Sequence, residues 1–201
     1  MDGEVNIQAL EKLLHQNRKR KLIGSFSAGS NVTGIKTDVE AIAATFKKYG
    51  GLCFYDYGAL GPYVPIDLSK RTEDGRTLID GIYVSPHKFL GGIGTCGVLI
   101  MSKQCYDNDL EPTHGGGGTV DYVGRKKQTF TENPNHREKS GTPGIFQIIK
   151  CGLVFELKGV LQEIIDKREV EFNKIFFERM SKHKDFMLLG TKDEHAKVTI
   201  Q

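Results

Sequence analysis

An amine, a carboxylate, a hydroxyl and an imidazole recur at one kind of place in this sequence, just past short apolar runs. Asn31 follows the run 22–27, Asp56 closes the run 52–55, and Ser85-Pro86-His87-Lys88 follows the run 81–84. A lysine amine such as Lys88 can condense with an aldehyde. A carboxylate such as Asp56 can keep a pyridine nitrogen protonated, which makes the ring an electron sink. Ser85 and His87 can donate to a phosphate dianion. Together they are the groups that pyridoxal phosphate chemistry requires. Taken singly, each has a plain alternative: a lone lysine is usually a solvated charge, and an aspartate after a strand can simply cap a turn.

The elements that must position them are legible from periodicity. Ile7, Leu10, Leu13 and Leu14 recur at helical spacing. Residues 22–27 read as a short buried strand. Thr37-Asp38-Val39-Glu40 has the form of a capping box with Thr37 at the cap. Val39, Ile42, Ala43 and Phe46 share one face of the helix that follows, and Gly50-Gly51 stops it. Residues 52–55, 81–85 and 97–101 read as three more strands. The expected class is α/β, with a mostly parallel sheet flanked by helices. In such sheets ligands bind beyond the carboxyl ends of strands, so Asn31, Asp56 and Lys88 are expected at one edge.

Residues 111–144 are rich in Gly, Pro, Thr and charge and read as a long functional or poorly ordered loop. Residues 115–119, Gly-Gly-Gly-Gly-Thr, offer backbone N–H groups and a hydroxyl, a nest suited to an anion. From Ile145 the positions 145, 149, 153, 157, 161 and 165 step by four, a long helix with Gly159 and Lys167-Arg168-Glu169 as candidate break points. Something new is expected from residue 186.

Five stretches resemble one family. Ser85-Pro86-His87-Lys88-Phe89-Leu90-Gly91-Gly92, preceded by Asp80, is similar to the Schiff-base motif of class V aminotransferases and cysteine desulfurases. Ser27-Ala28-Gly29-Ser30-Asn31-Val32-Thr33-Gly34 resembles the family's Asn segment, and Tyr55-Asp56-Tyr57-Gly58-Ala59 its Asp segment. Residues 115–119 resemble its Gly-rich turn, and Arg137-Glu138-Lys139-Ser140-Gly141-Thr142-Pro143 its RExxGTP stretch. They occur in the family's order across residues 5–180.

The resemblance implies part of the large domain of a fold-type I pyridoxal phosphate enzyme. Residues 1–145 would be the C-terminal half of that domain, 146–185 a linking helix or helices, and 186–201 the start of an incomplete small domain. Lys88 would be the imine lysine and, once displaced by the substrate amine, the base that moves the α-proton. Asp56 would partner the pyridine nitrogen, and Ser85 and His87 the phosphate. Asn31 would touch the cofactor hydroxyl or the substrate carboxylate. Gly118 and Thr119 would reach the phosphate of a neighbouring subunit in a homodimer. The implied activity is desulfuration or transamination of a small amino acid.

Three departures qualify this. Ala59 stands where desulfurases carry Gln, and Pro86 replaces a small residue. About half of a full family member is absent, including the aromatic group that stacks on the ring, the substrate-carboxylate arginine and the mobile cysteine. The chain alone is therefore expected to turn over poorly, and a truncated, non-catalytic cofactor-binding or interaction fragment is the alternative.

Other motifs weigh less. Gly92-Ile93-Gly94-Thr95-Cys96-Gly97 fits GxGxxG, but a strand-like run follows it where a dinucleotide turn needs a helix. Arg18-Lys19-Arg20-Lys21 reads as a solvated helix end, and a net charge of +3 is too mild to imply nucleic acid. Cys53, Cys96, Cys105 and Cys151 include no CxxC pair, so no metal site is expected. With no apolar run of membrane-spanning length, no secretory signal and reduced thiols, the expected setting is the cytoplasm.

Overall fold

The computed structural model describes residues 3–185, 187–190 and 196–198. Helix α1 (Ile7–Gln16) leads into strand β1 (Ile23–Ser27), helix α2 (Val39–Lys48) and strand β2 (Leu52–Asp56). Strands β3 (Gly81–Val84) and β4 (Val98–Met101) follow, joined through a 3-10 turn at Pro86–Lys88. The four strands form one sheet in the order β1-β2-β3-β4. The pairs β1–β2 and β2–β3 are parallel, while β4 runs antiparallel to β3.

The sheet is apolar where α2 covers it. Ile42, Ala43 and Phe46 on α2 and Cys53, Tyr55, Ile82 and Val84 on the strands are all buried in one cluster. Phe26 meets Phe46 edge-on, with ring centroids 5.7 Å apart. Gly24 and Gly51 leave room for the Phe46 ring, since a Cβ at either would come within 2.5 Å and 2.8 Å of it. The cap of α2 lies one residue later than the spacing predicts. Asp38 accepts from the Ala41 N–H at 2.9 Å. Thr37 instead donates its hydroxyl to the Ser27 carbonyl, and Glu40 pairs with Lys70.

Residues 111–144 are not a featureless loop. They hold a hairpin of β5 (Val120–Val123) and β6 (Gln128–Phe130) and a short helix α3 (Pro134–Arg137). A bare two-stranded hairpin is marginal in water. Here the Arg137 guanidinium substitutes for a core: it is buried, lies over the Phe130 ring at 5.4 Å, and donates to the Leu110 and Thr131 carbonyls.

The last helix, α4 (Ile145–Met180), runs 36 residues without a break. The helix continues through both expected break points. Lys158 donates to Gln162, Gln162 to Asp166, and Lys167 pairs with Glu163, each four residues apart along the helix. Lys158 and Gln162 also tie it to the Val64 and Tyr63 carbonyls. Its outer face carries exposed Phe146, Ile149, Leu153, Val160 and Ile164. The new element expected from residue 186 falls largely outside the described residues. Among these, no helix is long and apolar enough to cross a membrane.

Candidate active site at the carboxyl edge of the sheet

The register aligns the strand ends. Ser27 pairs with Asp56, and Asp56 with Tyr83, so β1, β2 and β3 finish side by side. The chain leaves each strand with a polar segment. After β1, Ser30 closes a turn by accepting from the Val32 and Thr33 N–H groups, each at 3.1 Å. Asn31 sits exposed in that turn. After β2, the Asp56 carboxylate accepts from the Gly58 N–H at 2.7 Å. After β3, Ser85 opens the 3-10 turn, and its carbonyl accepts from the Lys88 N–H at 3.0 Å.

Asp56 and Ser85 converge. A Cβ built on Gly58 would lie 2.9 Å from Asp56 Oδ1 and 3.4 Å from Ser85 Oγ. Ser85 makes no side-chain cap bond to its own turn, so its hydroxyl is uncommitted. His87 and Lys88 are both exposed on the turn that follows. Phe89, the next residue, is buried and meets Phe155 of α4 with centroids 5.2 Å apart. The lysine is thus presented between a buried proline, Pro86, and a buried phenylalanine.

The glycines after the lysine serve this turn. A Cβ on Gly92 would sit 1.9 Å from the Pro86 carbonyl oxygen, and Gly91 has φ +75°. Strand β4 follows, so this GxGxxG stretch does not open a dinucleotide-binding helix.

The Gly-rich turn differs from a presented anion nest. Thr119 is fully buried, and its hydroxyl donates to the Gly116 carbonyl at 2.7 Å while accepting from the Gly116 N–H at 3.0 Å. Within this chain the side-chain donor expected at residue 119 is spent inside its own turn. Gly118, at φ +86°, supplies the bend that allows it.

Two features escaped the sequence reading. The first is a buried ion pair: Lys47 Nζ lies 2.7 Å and 2.6 Å from Asp80 Oδ1 and Oδ2, and Oδ2 also accepts the Cys53 N–H at 2.7 Å. Its signal was present, because Lys47 falls four residues after Ala43, on the apolar face of α2. The second is a cavity of about 380 Å³ between Arg71, Asp80 and Lys103, at the opposite end of β3. None of Asn31, Asp56, Ser85 or Lys88 lines it. The strand-end residues Asn31, Asp56, Ser85 and Lys88 lie instead beyond the carboxyl edge of the sheet. Beneath that edge Tyr57 stays a phenol: burial, aided by the Glu40 charge, pushes it up to about 12.

A probable cysteine desulfurase of Halalkalibacterium halodurans is 28% identical over 199 residues, covering 98% of this chain and 46% of that protein. One of Aeropyrum pernix is 34% identical over 158 residues, 77% of this chain and 35% of that protein. The apo structure of a cysteine desulfurase from Thermococcus onnurineus matches with a TM-score of 0.81 over 98% of this chain and 46% of its own, at 21% identity, a likeness of fold. The chain spans less than half the length of these relatives. The model of the family "Aminotransferase class-V" matches residues 1–201, and the chain belongs to that family.

Proposed function

We propose that this chain carries the lysine-bearing half of a pyridoxal phosphate site, used in chemistry at the α-amino group of a small amino acid, of the desulfurase or aminotransferase type. The observation that carries the reading is the convergence of Asp56 and Ser85 on Gly58, beside the turn that exposes His87 and Lys88. The residues fit the cofactor: an exposed amine, an accessible carboxylate and an uncommitted hydroxyl lie at one sheet edge. When bound, pyridoxal phosphate supplies an aldehyde for amine condensation and a ring that withdraws electrons from the substrate α-carbon.

The protein's own part is to hold and to move protons. Asp56 would hold the ring nitrogen protonated, already oriented by its bond to the Gly58 N–H. Ser85 Oγ and the His87 ring would donate to the phosphate. Lys88 would be the attachment point and, when free, the base at the α-carbon. Asn31 would contact the cofactor hydroxyl or the substrate carboxylate. In a homodimer, Gly118 and Thr119 would serve the partner's phosphate, which requires Thr119 to release Gly116 or to use backbone N–H groups alone. Residues 1–145 would be large-domain structure, and residues 146–185 the link to the segment from 186.

A second reading is cofactor binding without turnover. One experiment separates the two. Protein incubated with pyridoxal phosphate and reduced with borohydride should carry the label on Lys88, and Lys88→Ala should carry none. Sulfide and alanine are then measured with cysteine as substrate. Label without product favours binding alone, Lys88-dependent product favours the enzyme, and no label on folded protein defeats both.

A further inference from the structure

The backbone bonds inside the lysine turn fix its shape but not its place. Lys88 donates its N–H to the Ser85 carbonyl, Phe89 to Pro86, Gly92 to Phe89 and Thr95 to Gly92, each three residues back along the chain. Phe89 carries this run into the rest of the molecule. It is buried, and two distant segments meet its ring. One is α4, whose Phe155 lies edge-on with centroids 5.2 Å apart. The other is the loop that follows Asp56: a Cβ added at Gly61 would come 3.1 Å from Phe89 Cε1. The Gly61 N–H donates to the Tyr57 carbonyl at 2.6 Å, so that loop is closed on itself.

The same side of α4 fastens the Asp56 loop directly. Lys158 Nζ donates to the Val64 carbonyl at 2.8 Å, and Gln162 Nε2 to the Tyr63 carbonyl at 3.0 Å. Positions 155, 158 and 162 are three and four residues apart and so share one side of the helix. A second tie reaches the lysine run, where Lys150 Nζ donates to the Ile93 carbonyl at 2.5 Å. Further along, Asn173 donates to the Lys197 carbonyl at 2.9 Å, and residues 196–198 pair with residues 34–36 at the end of the Asn31 turn. One unbroken helix therefore braces, directly or through one segment, the chain that leaves each of the three parallel strands.

We propose that Phe155 is a positioning residue for Lys88: through Phe89 it fixes where the lysine turn stands relative to the Asp56 loop. This role rests on the reading of Lys88 and Asp56 proposed above and adds to it a residue outside the polar segments. The Phe155 ring moves no proton and acts through Phe89. An edge-on pair of rings has a preferred geometry and resists both sliding and tilting. The precision matters, because a reacting group misplaced by about 1 Å can cost on the order of 100-fold in rate.

The test compares Phe155→Ala with Val154→Ala. Val154 is the neighbouring buried residue of α4, packed in the central core, so its truncation loosens the helix without removing the ring on Phe89. Three quantities are read: Tm, the rate at which pyridoxal phosphate is trapped on Lys88 by borohydride, and amide exchange in protein free of cofactor. Both variants should lower Tm. Phe155→Ala alone should slow labelling of Lys88, by about 10- to 100-fold, and speed exchange at the Lys88 and Gly92 amides. Phe155→Leu, which keeps an apolar contact, should recover part of both losses. If Phe155→Ala does not fold, slower labelling in Phe155→Leu than in Val154→Ala carries the same conclusion. Equal labelling rates in the Phe155 and Val154 variants, or unchanged exchange at Lys88 and Gly92, would overturn the proposal. If folded wild type takes no label, the pyridoxal phosphate reading fails by itself. Faster exchange in Phe155→Ala would then still support the placement of the turn, and unchanged exchange would defeat it.

Discussion

The Asp56 carboxylate and the Ser85 hydroxyl face the same bare Cα, that of Gly58, from the ends of neighbouring parallel strands. Neither residue approaches the other in sequence. The parallel register of β2 and β3 brings them there, and the missing side chain of Gly58 keeps the space between them open. Gly58→Ala should therefore disturb both groups at once. Its methyl would press Asp56 Oδ1 at 2.9 Å, and overpacking of this kind costs roughly 1–3 kcal/mol. We expect a lower Tm together with weaker pyridoxal phosphate binding, measured by titration of the absorbance band. Unchanged affinity would place the cofactor elsewhere.

The buried pair Lys47–Asp80 should behave unlike the surface pairs. Lys47→Met leaves an uncompensated carboxylate in the core beneath β3, at a cost of about 3–5 kcal/mol. Lys167→Met, at an exposed pair on α4, should change stability by well under 1 kcal/mol. Urea unfolding of the two variants side by side checks the contrast.

Alkaline pH should unfold the protein partly through Cys53. Burial pushes this thiol from 9.0 up to about 11, so the folded state keeps its proton longer than the unfolded chain does. Its contribution is complete below about pH 9 and is lost as pH rises towards 11. The loss amounts to at most about 3 kcal/mol at roughly 1.4 kcal/mol per unit. Cys53→Ala should flatten the fall of stability across that window, as read by chemical denaturation at a series of pH values. An identical slope in the variant would remove Cys53 from the account.

Arg137 should govern the hairpin and leave the main sheet alone. Its forked guanidinium reaches the Leu110 and Thr131 carbonyls and stacks on Phe130, which a lysine cannot reproduce. In Arg137→Lys, amide exchange should accelerate in Val120–Val123 and Gln128–Phe130 while β1, β2 and β3 keep their protection. Uniform loss of protection would show that the hairpin and the sheet fold as one unit.

Much of this molecule is legible along the chain, and the failures have physical causes. The strands of the parallel sheet were readable because each is a short apolar run bounded by turn residues, and their ends carry Asn31, Asp56 and Ser85. The hairpin was not readable because its anchor is a buried arginine, a residue type that composition assigns to the surface. The cap of α2 was misplaced because Thr37 and Asp38 are both good caps, and only the tertiary bond from Thr37 to Ser27 decides between them. The inward turn of Thr119 was hidden for a similar reason. A hydroxyl beside four glycines looks available until the turn closes and takes it.

The reversed direction of β4 separates two engineering problems. A parallel strand in its place would have carried the chain back to the edge where Lys88 stands. Instead β4 ends opposite Gly81, and Ser102 donates its N–H to the Asp80 carbonyl at 2.7 Å at the far end of β3. The excursion through residues 107–130 therefore departs from the side of the sheet remote from Asp56 and Ser85. Grafts or deletions at the tip of its hairpin, between Val123 and Gln128, alter a part of the molecule that the lysine turn does not rest on.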